Sequence, residues 1–180
     1  MQGLRGQLLV ASPALLDPNF HRTVVLVVEH GEEGALGLVL NRISGEVTEV
    51  GPPLEELIEP GDRIHVGGPV EAGAVLVVAE FEDREDAASV VFGDVGLVPG
   101  DGDFDVLAER TRRARVFAGY AGWGAGQLDT ELAEGSWIVE PAVPDDVFSD
   151  APDRLWSEVL RRKGGQYAIV ARMPPDPSLN

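Results

Sequence analysis

The sequence contains no cysteine, only one lysine, and no apolar run that approaches the roughly 20 residues of a membrane-spanning helix. The lack of cysteine excludes disulfides, thiolate zinc sites and a cysteine nucleophile. Basic residues are scarce as a class: 14 arginines and lysines stand against 31 acidic residues, which gives a formal net charge of −17. Since nucleic acids and anionic membranes attract surfaces rich in lysine and arginine, this balance argues against direct binding to either.

The N-terminal segment also lacks the uninterrupted apolar stretch of a signal peptide, because Pro13, Asp17 and Pro18 interrupt it. We therefore expect a cytoplasmic protein. A chain of 180 residues is long enough to bury a sizeable core, and no repeat or linker divides it. We predict a single domain over residues 1–180, with short flexible tails at 1–5 and 174–180.

The apolar pattern changes along the chain. In the first half, short runs rich in β-branched residues predict strands, and two of them flank a glycine-containing turn that is typical of a hairpin. In the second half, helical periodicity alternates with strand-like runs. The predicted strands are 7–11, 23–30, 35–41, 63–70, 73–81, 89–92, 114–122, 137–141 and 166–173, and the predicted helices are 53–58, 102–114, 125–136, 144–148 and 150–165. This order predicts an α+β fold with a mostly antiparallel sheet.

The most unusual stretch is "GYAGWGAGQLD" at 119–129, which has four glycines in eight residues after an apolar run. A dinucleotide-binding turn needs a third glycine where Gln127 stands, and a phosphate-binding P-loop needs a lysine that is missing here. We therefore favour a packing role, in which the glycines allow positive φ or close backbone approach. The alternative is an anion or small-ligand site formed by exposed N–H groups at the start of the following helix.

The residue types that usually carry catalysis or bind metals form no recognisable pattern. His21, His30 and His65 lack the spacing of a metal site, and no serine lies in a nucleophile elbow. We predict no metal site, no cofactor and no catalytic residue. Two basic clusters, at 110–115 and 161–163, fall near the C-terminal ends of predicted helices, where cations interact favourably with the helix dipole.

Several segments together resemble the AlgH (YqgE-type) family of bacterial proteins. They are "GQLLVASPALLDPNFHRTVVLVVEHGEEGALGLVLNR" at 6–42, "VGGPV" at 66–70, "VFAGYAGWGAGQLDTEL" at 116–132 and "DPSLN" at 176–180. These segments occur in the order of the family and extend over nearly the whole chain. The resemblance implies a single α+β domain with coiled, mostly antiparallel sheets, a small barrel-like core and flanking helices.

The resemblance implies little about chemistry. Family members carry a label as transcriptional regulators, yet this chain has no helix-turn-helix pattern and no basic recognition helix. We therefore expect a regulatory protein that binds a protein partner or a small ligand rather than an enzyme, in an oligomeric state that the sequence leaves open. The matching turns and strand ends supply the ligand-binding candidates Asn41, Arg42, Gly67, Gly68, Tyr120, Trp123, Gln127 and Glu131.

Two alternatives stay open. An enzyme acting on a nucleotide or another phosphorylated metabolite would use N–H groups near 122–126, with Arg42 or His30 supplying charge or proton transfer. A DNA-binding transcriptional regulator would need a basic surface, which the net charge disfavours.

Overall fold

The computed structural model describes residues 3–46, 56–59 and 62–175. Ten strands and five α-helices lie in these ranges. The strands are β1 (Gln7–Ala11), β2 (Val24–Gly31), β3 (Gly34–Val39), β4 (Ile43–Glu46), β5 (Arg63–Val66), β6 (Val70–Phe81), β7 (Ser89–Phe92), β8 (Val95–Leu97), β9 (Thr111–Gly124) and β10 (Trp137–Pro141). The helices are α1 (Phe104–Glu109), α2 (Gln127–Ala133), α3 (Pro144–Val147), α4 (Pro152–Lys163) and α5 (Gln166–Val170), and a short 3-10 helix, Arg84–Asp86, connects β6 to β7.

The strands form one twisted sheet in the order β10-β1-β2-β3-β9-β6-β8-β7, with β4 and β5 beside this path. The neighbours along this path are antiparallel, whereas β5 runs parallel to β9. Strand β9 joins the two halves of the sheet, because residues 121–124 pair with β3 and residues 111–118 pair with β6. The β2–β3 hairpin and the C-terminal end of β9 therefore lie side by side.

A change of alternation in β9 decides which side chains face which part of the core. Phe117 and Tyr120 both pack against the core cluster that includes the buried residues of α4. An odd and an even position of a strand normally point to opposite faces. The change occurs at Gly119, whose φ of 74° lies in the left-handed region that glycine tolerates best. Beyond it, Ala121 and Trp123 face the second cluster, which packs under α2.

Helix α4 is the longest helix of the described residues and has the amphipathic pattern that the sequence predicts. Leu155, Trp156, Val159 and Leu160 are buried on one stripe. The indole N–H of Trp156 donates to the carbonyl of Ala11 at 2.9 Å, which ties the helix to the end of β1. The predicted basic residues Arg161, Arg162 and Lys163 occupy its last turn.

The α+β class, the mainly antiparallel pairing and the β2–β3 hairpin are confirmed. The expected barrel-like core is corrected, because the sheet is not closed. Barrel closure requires the two terminal strands to pair with each other. In the described part of the chain, β10 pairs with β1 and β7 pairs with β8, and no pairing joins β10 to β7.

The helix predicted at 102–114 is wrong in its second half. Asp103 caps its start by accepting from the N–H of Asp105 at 3.1 Å, but the helix ends at Glu109 and β9 begins at Thr111. Residues 111–118 alternate between two faces of the sheet, which is the period of a strand. Of the first basic cluster, Arg112, Arg113 and Arg115 therefore lie on a strand, whereas Arg110 is at the end of the helix as predicted.

The strand predicted at 166–173 is wrong, since its first residues form α5. Gly164 and Gly165 turn the chain with φ of 80° and 58°, and the apolar residues that follow pack on the core at helical spacing. The first half of the helix predicted at 53–58 falls outside the described residues. The single-domain organisation and its tails stay predictions, and no helix in the described ranges is long and apolar enough to cross a membrane.

Candidate functional site

Half of the predicted ligand-binding residues meet at the C-terminal end of β3. These are Asn41, Arg42, Gly67 and Gly68. The N–H of Val39 donates to the carbonyl of Gly67, and the N–H of Gly67 donates to the carbonyl of Ala118, both at 2.8 Å. The two glycines therefore form a bridge between β3 and β9.

Close backbone approach explains why glycine is needed in this bridge. A Cβ atom on Gly67 would collide with the carbonyl oxygen of Gly119, and one on Gly68 would collide with the main chain of Tyr120. Gly68 also has a φ of 156°, which side-chain-bearing residues rarely adopt. The glycines here serve packing, as the sequence favoured for the neighbouring stretch at 119–129.

Asn41 holds the start of β2 in place. Its Oδ1 accepts from the N–H of Val24 at 2.9 Å, and its Nδ2 donates to the carbonyl of Arg22 at 2.8 Å. Both ends of the amide are therefore engaged with the protein's own main chain.

Arg42 fixes the loop that precedes β2. Its Nη1 donates to the carbonyl of Asn19 at 2.6 Å, and its Nη2 donates to the carbonyls of Pro18 and His21 at 2.8 and 3.3 Å. Burial lowers the pKa of Arg42, and the negative charge of Asp17 opposes this effect. The same guanidinium lines a small cavity of about 70 Å³.

Three further candidates lie together at α2. The Oε1 of Gln127 accepts from the N–H of Gly124 at 3.1 Å, which closes the turn into the helix. The Oε1 of Glu131 accepts from the indole N–H of Trp137 at 3.3 Å, and Trp123 packs edge-on against Trp137 with 6.1 Å between ring centroids. These side chains build an aromatic cluster under α2.

Tyr120 lies apart from that group. Its side chain packs against the cluster that α4 covers, on the opposite face of β9 from Trp123. The eight candidates therefore form one group of four at the C-terminal end of β3 and one group of three at α2. The side chain of Tyr120 lies apart from the group at α2.

A second concave surface lies at the other end of β3, around the β2–β3 turn, and the sequence did not predict it. It is a groove of about 610 Å³. Three glutamates line it, Glu29, Glu32 and Glu33, and all three are exposed. Of the eight candidates from the sequence, only Trp123 is among its lining residues.

His30 lies at the base of this groove, with a side chain that is only 4% exposed. The N–H of Leu4 donates to its Nδ1 at 3.1 Å. Because Nδ1 accepts, the neutral ring carries its proton on Nε2. Nε2 lies 3.6 Å from the carboxylate of Asp129, so this N–H is directed towards Asp129 at the edge of α2.

The groove was missed because its signal is ordinary in this sequence. "EHGEEG" at 29–34 forms the hairpin turn, and glutamates at a turn are common in a chain with 31 acidic residues. The burial of His30 depends on Leu4, which lies 26 residues away in the chain. Within the described ranges, no group of three or more metal-binding side chains is assembled.

A second histidine is buried in a different environment. His65 on β5 is 2% exposed, its Nδ1 lies 3.3 Å from the carbonyl of Arg63, and its Nε2 has no partner among the described residues. Its pKa is lowered to about 4, mainly by burial and also by the positive charge of the nearby Arg115, while the hydrogen bond to Arg63 acts in the opposite direction. This histidine is neutral at pH 7.

The basic cluster on β9 is engaged with the protein itself. Arg112 and Arg113 form ion pairs with Asp94 and Asp145 at 3.3 and 2.9 Å. Arg115 donates to the carbonyls of Val147 and Ser149. These arginines connect β9 to the turn between β7 and β8 and to the segment around α3.

Comparison with known proteins identifies relatives along the whole chain. The family model described as AlgH-like matches residues 8–168. A UPF0301 protein of Streptomyces coelicolor is 47% identical and aligns with 100% of this chain and 97% of its own length. A UPF0301 protein of Chlorobaculum tepidum is 41% identical and aligns with 97% of this chain and 95% of its own length.

Two solved structures have the same fold. The crystal structure of a protein from Corynebacterium diphtheriae superposes with a TM-score of 0.86 at 29% identity, covering 95% of this chain and 92% of the other. The solution structure of the AlgH protein from Pseudomonas aeruginosa superposes with a TM-score of 0.73 at 32% identity, covering 96% and 95%. The resemblance found in the sequence is therefore confirmed: the chain belongs to the AlgH-like family, UPF0301.

Proposed function

We propose that this protein has a regulatory role and acts by binding, and that the groove around the β2–β3 turn is the surface that binds. The occupant we propose is a basic segment of a protein partner. The observation that carries this proposal is the lining of the groove, where three exposed glutamates surround a space of about 610 Å³.

The charges in the groove support a cationic occupant. In the described part of the chain, no basic side chain lies within 4 Å of the carboxylates of Glu29, Glu32 or Glu33, although other carboxylates form ion pairs with arginine. Arg5 is the one arginine among the lining residues, so the negative charges outnumber it. The net charge of −17 adds a long-range attraction for a positively charged partner.

The shape of the groove suits an extended segment of polypeptide. It lies at a hairpin end, and its glutamates are on the surface and not in an enclosed chamber. The base is fixed, because the N–H of Leu4 and the carboxylate of Asp129 hold the ring of His30 between them. A fixed base with exposed charged side chains at the rim is typical of a binding surface.

Binding rather than catalysis is favoured by what the candidate catalytic groups do. In the alternative enzyme, N–H groups near 122–126 would hold a phosphate, but residues 121–124 pair with β3 and the N–H of Gly124 donates to Gln127. Gly124 pairs with Gly34 at the start of β3, whereas Arg42, the second proposed group, follows the C-terminal end of that strand. These two groups of the alternative enzyme therefore do not converge on one phosphate.

The test uses a fluorescent arginine-rich peptide, with binding followed by anisotropy at about 0.15 M salt. The variant replaces the three glutamates together, Glu29→Gln, Glu32→Gln and Glu33→Gln. Its matched control replaces three exposed acids elsewhere, Asp101→Asn, Glu109→Gln and Glu158→Gln, so both variants have the same net charge. We expect binding at least about tenfold weaker in the groove variant and nearly unchanged in the control.

Equal losses in the two variants would show that only the net charge attracts the peptide, and the proposal would be wrong. Competition by spermidine as effectively as by the peptide would replace the protein partner with a small polycation.

A further inference from the structure

Arg42 differs from the four arginines that form ion pairs within the described part of this acidic protein. Arg113 and Arg162 each form ion pairs with carboxylates at 2.8–2.9 Å. Arg42 has no carboxylate oxygen within 4 Å among the described residues, and its three hydrogen bonds all go to main-chain carbonyls. Its positive charge is therefore not neutralised by direct contact, in a chain with more than twice as many acidic as basic residues.

The guanidinium of Arg42 also has N–H donors without a hydrogen-bond partner among the described residues. An arginine carries five N–H groups, and the three bonds to the loop use one on Nη1 and two on Nη2. The Nε N–H and the second N–H of Nη1 have no partner in the described ranges. The side-chain amide of Asn19, which lines the same cavity, likewise makes no hydrogen bond to a described residue.

The cavity beside Arg42 has a polar side and an apolar side. Arg42, Asn19 and Gly68 line the polar side, and Val39, Val66 and Pro69 line the apolar side. Its volume of about 70 Å³ corresponds to roughly two water molecules at about 30 Å³ each. Asn19 and Pro69 are exposed, so the cavity is reached from solvent.

We propose that this cavity binds a carboxylate group, with the carboxylate oxygens on the free donors of Arg42 and Asn19 and the attached carbon atoms on the valines and proline. A charged donor paired with an anionic acceptor forms the stronger class of hydrogen bond, and the apolar side excludes water from it. The volume admits one carboxylate with one or two carbons. Asp17 acts on Arg42 through its charge, but it does not fill this role, because no oxygen of its carboxylate lies within 4 Å of the guanidinium and its Oδ1 accepts from the N–H of Asn19 at 2.9 Å.

This site is independent of the groove at the β2–β3 turn. It lies at the opposite end of β3 and shares no lining residue with the groove. The carboxylate has two possible sources: a small free acid, or the carboxylate at the C-terminus of a peptide. The experiment distinguishes them.

The test is a titration of the ¹⁵N-labelled full chain with sodium acetate, with sodium chloride at equal ionic strength as the reference. We expect saturable shifts of the Arg42 Nε–H and Asn19 side-chain resonances with acetate and not with chloride. Arg42→Lys keeps the charge but loses the Nε donor, so affinity should fall at least about tenfold. Shifts that grow linearly with acetate, without saturation, would overturn the proposal.

A second variant keeps the proposal testable if Arg42→Lys does not fold. Val66→Leu adds volume on the apolar side and leaves the guanidinium and its three carbonyl bonds in place. It should abolish acetate binding, whereas the triple glutamine variant of the groove should bind acetate as the natural sequence does. Acetate binding that survives Val66→Leu would contradict the proposed position of the ligand.

The source of the carboxylate is resolved by a short peptide measured with a free C-terminus and with an amidated one. Much tighter binding of the free-acid peptide than of acetate identifies a peptide terminus, and equal affinity identifies a small acid. Equal binding of the amidated and the free-acid peptide would show that no carboxylate is recognised, and the proposal would fail.

Discussion

The two ends of strand β3 differ in how they use space and charge. Around the start of the strand at Gly34, the hairpin turn carries exposed glutamates and borders a groove of about 610 Å³. At its other end, Val39 is bonded to Gly67 within a tightly packed backbone crossing, beside a cavity of only about 70 Å³. One end offers an open acidic surface, and the other a small cavity with an arginine.

This difference teaches how sequence signals relate to function here. The glycine-containing segments that stand out in the sequence mark close backbone approaches, at Gly67 and Gly68 over β9 and also at Gly34 beside Trp123, because backbones that nearly touch restrict the residue type to glycine. The lining of the groove carries glutamates, which many surface positions tolerate. The distinctive motifs therefore located packing constraints at both ends of the strand, and the groove had no motif.

The largest effect is expected from adding one methyl group at the packed end. In Gly68→Ala, the new Cβ would collide with the main chain of Tyr120, at a φ of 156° that alanine avoids. We expect a loss of about 3–5 kcal/mol in the free energy of unfolding, or failure to fold. Gly31→Ala at the open end is the control, because nothing lies within 4 Å of its added Cβ.

Urea unfolding followed by circular dichroism measures both variants, and Gly31→Ala should change stability by less than about 1 kcal/mol. A Gly68→Ala protein as stable as the control would show that the crossing of 67–68 over β9 can relax, and that the two ends are not different in rigidity.

The next effect concerns His65, the buried histidine on β5 near the packed end. The pKa of His65 is lowered to about 4 in the folded protein, against about 6.5 when unfolded. The unfolded chain therefore binds the proton first, so the stabilisation by neutral His65 is complete above about pH 6.5. It is lost as the pH falls towards 4, by about 3 kcal/mol at most.

Comparison of the natural sequence with His65→Leu isolates this effect, since both proteins share the titration of their carboxylates. Urea unfolding at pH 7 and pH 4.5 should show a smaller loss of stability in His65→Leu. Parallel losses in the two proteins would mean that the Nε2 of His65 has a partner or solvent access that keeps its pKa near the ordinary value.

The sequence predicts much of the fold because its signals there are local. The β2–β3 hairpin follows from two apolar runs around a glycine-containing turn, and α4 from its apolar stripe. The start of β9 was missed because its arginines, such as Arg113 and Arg115, are also typical of the last turn of a helix. Its pairing with β6, a segment distant in the sequence, is what makes it a strand. The short strands β4 and β8 gave no period to detect.

The site was less predictable because it depends on contacts between distant segments. The resemblance placed Arg42 and Gly68 among the candidates, but their shared cavity needs Asn19 and Val66 as well. The tautomer of His30 is set by Leu4, from a segment that the sequence predicts as a tail. Pairings over such separations are created by the fold and leave no local pattern.

The smallest effect tests whether the glutamates of the open end stabilise the fold. If Glu29, Glu32 and Glu33 belong to a binding surface, replacing them by glutamine removes mutual repulsion and no structural contact. At low salt, the free energy of unfolding of the triple variant should then equal that of the natural sequence or exceed it by roughly 0.3 kcal/mol. The gain should disappear at high salt, because exposed charges are screened.

Urea unfolding at low and high sodium chloride measures this change in stability. A loss larger than about 1 kcal/mol would assign these carboxylates a structural role, and the two ends of β3 would then differ in packing but not in function.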